Sequence, residues 1–376
     1  FVASAEAVAD TFALNTAYQL KSMRDVAALG LNGSVPNYRL FKALKEFFQE
    51  AGEGTELWLY GVSKSTQVSA WFEKNAGNPG PVESLLNASH GKIRGIFTIY
   101  TPSVEPVLTE EKMDPDVVAA LATAQTLFED YTSEKYAPYF TILEGYKFTG
   151  EAVGLPNLSA MDYNAVGVMI GNTEKQTESN QFGAAIGVFA GRLAKYPVRV
   201  NAGKVRNGAL KPVKMYIKDT LVEDFDTESL YDLGYITLTT YAGRTGYYFM
   251  DDPLACNVSD DYHYLTHRRT INEAYRLAYQ ANLDFVLDEV PVNNDGTIQA
   301  WYAKTIESAV ERLISTSMGA DLSANPEDTR DSGVQCFVDK EQNIISTSKL
   351  NQVIKIRPYG YNRWIEVVIG FDITNS

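Results

Sequence analysis

Apolar positions along the chain fall into two alternating periods, and their order predicts the elements. Tyr38 to Gln49 places Leu40, Phe41, Leu44, Phe47 and Phe48 on one helical stripe, and the short apolar run Leu57 to Val62 follows as a strand. Ile93 to Tyr100 reads as another strand. A helix then opens with Asp114 as N-cap and Pro115 in its first turn, carrying the stripe Val118, Leu121, Leu127 and Phe128. Tyr139 to Leu143 and Ala165 to Ile170 are two further buried strands. Strands separated by helices predict crossover units around a mostly parallel sheet.

Phe182 to Leu193 predicts an amphipathic helix whose Gly183, Gly187 and Gly191 thin one face, so that another backbone can approach. Tyr235 to Tyr241 and Tyr247 to Met250 read as consecutive strands around the turn 243–246. A long helix is expected from about His267 to Val290, with Ile271, Ala274, Tyr275, Ala278, Phe285 and Val286 facing inward, and a shorter one from Ala300 with Ile306, Val310 and Leu313. Beyond the polar stretch 321–333 come strands at Val334 to Val338, Val353 to Arg357 and Trp364 to Ile373. In the last of these, Ile365, Val367, Ile369, Phe371 and Ile373 alternate without a miss, the period of a strand with one buried face. In an isolated subunit this strand is expected to pack at least partly on the chain's own terminal strands, 334–338 and 353–357, and in an assembly to share its final residues with an adjacent copy, as a self-assembly strand; an ordinary edge strand of a self-contained sheet is the alternative.

These elements predict an α/β fold, a mixed central sheet flanked by helices, with a C-terminal β-rich subdomain. The expected division is a core of residues 1–64 and 161–320, an inserted or peripheral α/β region at 65–160, and a C-terminal subdomain and arm at 321–376. The breaks at 77–81 and 102–106 motivate the inserted region.

Composition narrows the function. Of 376 residues, 45% are hydrophobic and 21% charged, the balance of a chain that buries cores. Acids outnumber bases 47 to 33, for a net charge of −14, which argues against coating nucleic acid. The longest apolar helical run falls short of the ~20 residues a membrane span needs. No basic region precedes an apolar core, so no signal peptide is expected, and the start at Phe1 points to an absent upstream piece. Cys256 and Cys336 are expected as free thiols.

No chemistry stands out. His263 and His267 lie four apart behind Asp260 and Asp261, so a metal site is conceivable, but the spacing reads rather as Asp260 or Asp261 capping a helix while the histidines pack or face solvent. Asp251 and Asp252 precede Pro253 and read as a turn. No phosphate-binding loop, dinucleotide fingerprint or nucleophile elbow occurs. The expectation is no catalytic residue, no metal and no cofactor.

Charge distribution says more. Eight bases and no acid lie between Gly191 and Lys218, among them Arg192, Lys195, Arg199, Lys204 and Arg206; six acids and no base follow to Asp232, among them Asp219, Glu223, Asp224 and Asp226. Two solvated faces would explain the blocks. The expectation is that these residues meet across subunits, as complementary surfaces between identical copies.

The order of features resembles the tail sheath proteins of contractile phages and related injection systems. The likeness runs from 20–30 (LKSMRDVAALG) through the helix and strand 41–62, the strand 165–170, and 187–196 (GVFAGRLAKY). It continues through Ala242-Gly243-Arg244-Thr245, which falls where the family has a Gly-x-Arg-Thr turn, and through 262–271 (YHYLTHRRTI). Two departures mark a divergent member: no N-terminal arm with a Pro-Gly turn precedes Phe1, and Tyr196-Pro197-Val198 replaces a Trp-x-x-Pro-Ala stretch. The resemblance implies a non-enzymatic structural protein that polymerises as helical rings around a tail tube and contracts to drive it into a target cell. Its implied partners are copies of itself, a tube protein and a baseplate, with neither nucleic acid nor membrane. Its implied place is a virion tail or bacterial cytoplasm. An α/β enzyme of unrecognised type and a non-contractile tail or capsid component are the alternatives.

Overall fold

The structure is a computed structural model that describes residues 1–74, 77–108, 111–178, 181–328, 330–367 and 369. Six strands form the main sheet: β1 (Val2–Ala5), β2 (Ala17–Leu20), β3 (Leu57–Ser63), β4 (Gly95–Ile99), β5 (Phe140–Glu144) and β6 (Val166–Met169), in the order β2-β3-β1-β4-β5-β6. All neighbours are parallel except β2 against β3. Ile236 then bridges to Met169 in parallel beyond β6. Every residue of β1, β5 and β6 is buried, so both faces of the sheet centre are covered, as a parallel sheet requires.

Helix α1 (Tyr38–Ala51) buries Leu40, Leu44, Phe47 and Phe48, the stripe read from the sequence. Helix α2 (Pro115–Lys135) starts at the expected cap, Asp114, whose Oδ1 accepts the Asp116 N–H at 2.9 Å. Helix α3 (Ile186–Lys195) begins later than its apolar run. Gly183 sits at φ +117° and the Ala184 N–H is taken by the Glu144 carboxylate at 3.0 Å, so the helix cannot extend back to Phe182. Gly187 and Gly191 face the α1 backbone as the four-residue spacing implies: a Cβ at Gly187 would overlap the Ala43 carbonyl, and one at Gly191 would stand 2.8 Å from the Phe47 carbonyl oxygen.

Asp114 carries a consequence in pH. Its side chain is buried and its Oδ2 has no partner, so burial pushes the carboxyl up to about 6, with Asp116 adding repulsion. An unfolded Asp titrates near ~3.9. The stability this group contributes is therefore complete below pH ~4 and is lost as pH rises to about 6. Asp114→Asn keeps the cap without the charge. It is expected to raise stability at pH 7 by about 1–3 kcal/mol, a gain that vanishes at pH 4, measured by denaturant titration at both values. An equal gain at both pH values would show that the carboxyl is not ionised against its burial.

Helix α4 (Leu265–Leu283) differs most from its sequence pattern. It stops seven residues short of Val290, and Tyr275 and Val286, expected inside, are 41% and 64% exposed. Its inner face mixes small apolar residues with polar ones. Arg268 donates to the Asn164 carbonyl at 2.9 Å, Asn272 to Tyr139 at 3.1 Å, Arg276 to Pro138 at 3.0 Å and Ile93 at 2.9 Å, and Arg269 to Leu193 at 2.9 Å. Those carbonyls lie just ahead of β4, β5 and β6 and at the end of α3. The helix is thus held by donors on peptide oxygens as well as by a stripe of small apolar residues, Ala274, Ala278 and Ala281, of which Ala274 and Ala278 were expected inside.

Three further expectations are corrected. The 65–160 region is not peripheral, because β4 and β5 lie inside it and occupy the sheet interior between β1 and β6. Its Gly-Pro breaks mark connections and say nothing about where the strands insert. The Tyr235–Tyr241 and Tyr247–Met250 strands reduce to an antiparallel pair, β7 (Leu238–Thr239) and β8 (Tyr248–Phe249). The chain divides into compact units at Phe1–Asp288 and Glu289–Ser376, so the helix from Ala300 belongs with the C-terminal part rather than with the core.

In the C-terminal unit, α5 (Ala300–Met318) buries Ile306, Val310, Ile314 and Met318. The antiparallel hairpin of β9 (Val334–Val338) and β10 (Gln352–Ile356) packs on it. Val334, Cys336 and Val338 point inward while Gln335 and Phe337 point out.

Candidate assembly interface

The candidate interface is that hairpin. The Asp339 N–H bonds the Asn351 carbonyl at 2.9 Å and the Arg357 N–H bonds Gly333 at 2.8 Å, which fixes the phase of the ladder. Counting by twos, Gln335 and Phe337 pair with Lys355 and Val353, while Val334, Cys336 and Val338 on β9 and Gln352, Ile354 and Ile356 on β10 turn their peptide groups outward. On the β10 side no described residue meets Gln352, Ile354 or Ile356 through the backbone. That edge is an open template for another strand. Its outward face carries the cross-strand pair Phe337 and Val353, 49% and 59% exposed, with the Lys355 ammonium 5.7 Å from the Phe337 ring centre.

The described residues after β10, 358–367 and 369, do not close this edge. The described residues 358–367 form neither strand nor helix, which corrects the expected Trp364–Ile373 strand over that span. Ile365, Val367 and Ile369 are 77%, 69% and 88% exposed. The expected packing on the chain's own terminal strands is absent for these three. Phe371 and Ile373 lie outside the described residues. The physical reason is that a period of two specifies which side chains need a cover, but not which surface supplies it.

The charge blocks separate on inspection. Arg192 is not a surface charge: it is 3% exposed and its guanidinium bonds Glu50 of α1 at 2.9 Å. Helical position decided this, since Arg192 follows Gly191 on the side of α3 that meets α1. Arg199 is half-buried. Lys195, Lys204 and Arg206 are exposed, as are Asp219, Glu223, Asp224 and Asp226. Among the described residues these three bases and four acids form no ion pair with one another.

Sites of chemistry are filled or plain. The crevice beyond the carboxyl ends of β4 and β5, where open α/β sheets bind ligands, holds Arg39 paired with Glu144. The Glu144 carboxylate also accepts the Tyr100 N–H at 2.7 Å. Burial pushes that carboxyl up, against the pull of Arg39 and the backbone donors. The cavity beside it is about 10 Å³. A larger cavity of about 530 Å³ lies at the amino ends of the strands, walled by Phe47, Trp58, Phe97 and Phe140, with Arg94 and Glu273 paired at 2.8 Å. His263 is buried with its Nδ1 2.8 Å from the Cys256 carbonyl oxygen, and burial pushes the Cys256 thiol up to about 12. Asp260 accepts the Tyr262 N–H at 2.7 Å in the turn before α4. Asp251 and Asp252, read as a turn, are both buried and share the Asn201 amide. Among the described residues no group of three or more His, Cys, Asp and Glu could hold a metal, and no helix is long and apolar enough to cross a membrane.

Comparison with solved structures places this fold. A chain of the anti-feeding prophage baseplate superposes with a TM-score of 0.62 at 16% identity, covering 99% of this chain and 92% of that one. The sheath complex of an extracellular contractile injection system in its contracted state gives 0.59 at 14% identity, covering 100% and 92%. The sheath tail protein of Desulfitobacterium hafniense gives 0.52 at 9% identity, covering 94% and 96%. The α/β architecture, with its mixed central sheet and C-terminal hairpin unit, is thus the fold of contractile-system sheath proteins. No curated protein matches the sequence. Two family models match the chain, one described as the DUF2586 N-terminal domain over residues 1–253 and the other as the DUF2586 C-terminal domain over 261–376, which places α4 with the C-terminal domain although it packs in the N-terminal unit, and the chain belongs to the DUF2586 family.

Proposed function

We infer that this is a structural, non-enzymatic sheath subunit that polymerises as helical rings around a tail tube and contracts to drive it into a target cell. Its partners on this reading are copies of itself, a tube protein and a baseplate, and its place is the tail of a particle. The observation that carries the reading is the pairing of two unsatisfied features in one C-terminal unit: an open β10 edge and an extended apolar segment whose Ile365, Val367 and Ile369 have no cover. Burying each fully is worth ~1.5–3 kcal/mol, a strong drive toward a surface the single copy lacks. If the segment of one copy docks on the next copy's edge, the contact is heterologous, and repetition builds an open helical array. The fold shared over nearly the whole chain with sheath proteins supports the same role.

The exposed bases Lys195, Lys204 and Arg206 and the acids Asp219, Glu223, Asp224 and Asp226 belong to the proposal as complementary patches that orient neighbouring copies. The test is electron microscopy of the full chain beside two variants. A chain ending at Arg363 is expected to melt as the full chain does yet form no tubes, whereas tubes from it would end the strand-exchange reading. Lys195, Lys204 and Arg206 changed together to Glu are expected to slow or block tube growth with little change in melting. Unaltered growth would remove the charge patches from the interface.

A further inference from the structure

The two edges of the hairpin are not equivalent. On the β9 side the outward Cys336 N–H donates to Glu311 Oε1 at 2.9 Å and the Val338 N–H donates to Glu307 Oε1 at 3.1 Å. Both acids come from α5, four residues apart, so one helix face presents them at the two-residue step of the strand. Glu307 is buried, and its Oε2 is held by Lys304 at 3.1 Å. Burial alone would raise its carboxyl, but the Val338 N–H and Lys304 outweigh that and keep it below the ordinary range. The carboxylate is therefore ionised and acceptor-only at neutral pH, a strong partner for a peptide N–H. On the β10 side Gln352, Ile354 and Ile356 have no such partner among the described residues.

We propose that Glu307 and Glu311 guard the β9 edge: by holding the outward Cys336 and Val338 N–H groups they close it to strand addition, so that a segment of a second copy docks only along β10. This rests on the strand-exchange reading and adds the direction of exchange. A sheet with two open edges could take a strand on either side, and copies joined by different edges would break a regular array. With one edge held, each hairpin accepts a single strand, and the order from the incoming strand through β10 and β9 to α5 is the same in every copy.

The test uses the full chain with Glu307→Ala/Glu311→Ala and with Glu307→Gln/Glu311→Gln, which keeps an acceptor at each position. Amide exchange of residues 335–338 is followed in dilute and in concentrated protein, beside electron microscopy. In dilute Ala variant the Cys336 and Val338 amides are expected to exchange at least about tenfold faster than in the parent. On concentration they should regain protection as irregular aggregates replace tubes, while the Gln variant behaves as the parent. If the two amides stay unprotected at high concentration and the products match the parent's, the guard idea is wrong. Should Gln335 and Phe337 also lose protection in dilute protein, the hairpin has opened, and Glu311→Ala alone, scored at Cys336 by the same criteria, decides. The parent chain ending at Arg363 is carried in parallel. Tubes from that chain would sink strand exchange itself, and the guard with it. Its failure to form tubes, together with an unchanged Ala variant, would sink the guard alone.

Discussion

Gly187→Ala is expected to destabilise the N-terminal unit by about 3 kcal/mol or more, the upper end of overpacking effects. The added Cβ would meet the carbonyl, carbon and Cα of Ala43, all backbone atoms of α1, so no side chain can swing aside and one helix has to move. Helix propensity works the other way, since Ala in place of Gly at a helix interior gains ~1 kcal/mol. The clash wins because it separates α1 and α3 along the line where Gly191 also sits against Phe47 and Glu50. Gly319→Ala is the control: nothing lies within 4 Å of its Cβ position and its φ of −54° is ordinary, so little change is expected. Denaturant midpoints measure both. A Gly187→Ala protein as stable as its parent would mean that α1 and α3 are not in backbone contact.

Arg192→Met is expected to cost about 3–5 kcal/mol, because it strands the Glu50 carboxylate in a dry site. Glu50 is 2% exposed, and without Arg192 it keeps only the Lys211 N–H at 3.3 Å; the Gly208 carbonyl also loses its donor. The double variant Arg192→Met/Glu50→Leu should recover much of the loss, since an apolar pair of similar volume removes the uncompensated charge. A double-mutant cycle on unfolding free energies reads this coupling directly. The experiment also discriminates two roles for Arg192. If Arg192→Met left stability untouched but stopped tube growth, Arg192 would belong to the contact between copies and not to the core.

Much of the fold could be read from periodicity. The α1 stripe, the Asp114 cap, the runs that became β3 to β6 and the β9–β10 hairpin are local patterns, since a side chain's facing follows from its position along its own element. The glycine spacing in α3 was legible for the same reason. β1 was not, although it lies at the sheet centre: VASA is four residues of small and β-branched side chains with no alternation to detect. A strand covered on both faces has no polar face to give it away.

The candidate interface divides along the same line. The alternating tail from Ile365 predicted a strand with one buried face, but its described residues form no strand and stay exposed, because alternation marks which side chains could share a face and supplies no surface to cover them. Whether Arg192 was a surface charge or a core one, which carbonyls would hold α4, and which hairpin edge was closed are relations between segments far apart in the chain. Glu307 and Glu311 look like ordinary solvent-facing acids on a helix until the β9 N–H groups stand within 3.1 Å of them. Sequence by itself determined those elements whose apolar pattern is strong and local, such as α1, α2 and β3 to β6, because a pattern of that kind depends on neighbours within a turn or two. Only the tertiary structure decided what covers them, because burial and hydrogen bonding are set by groups that folding brings together.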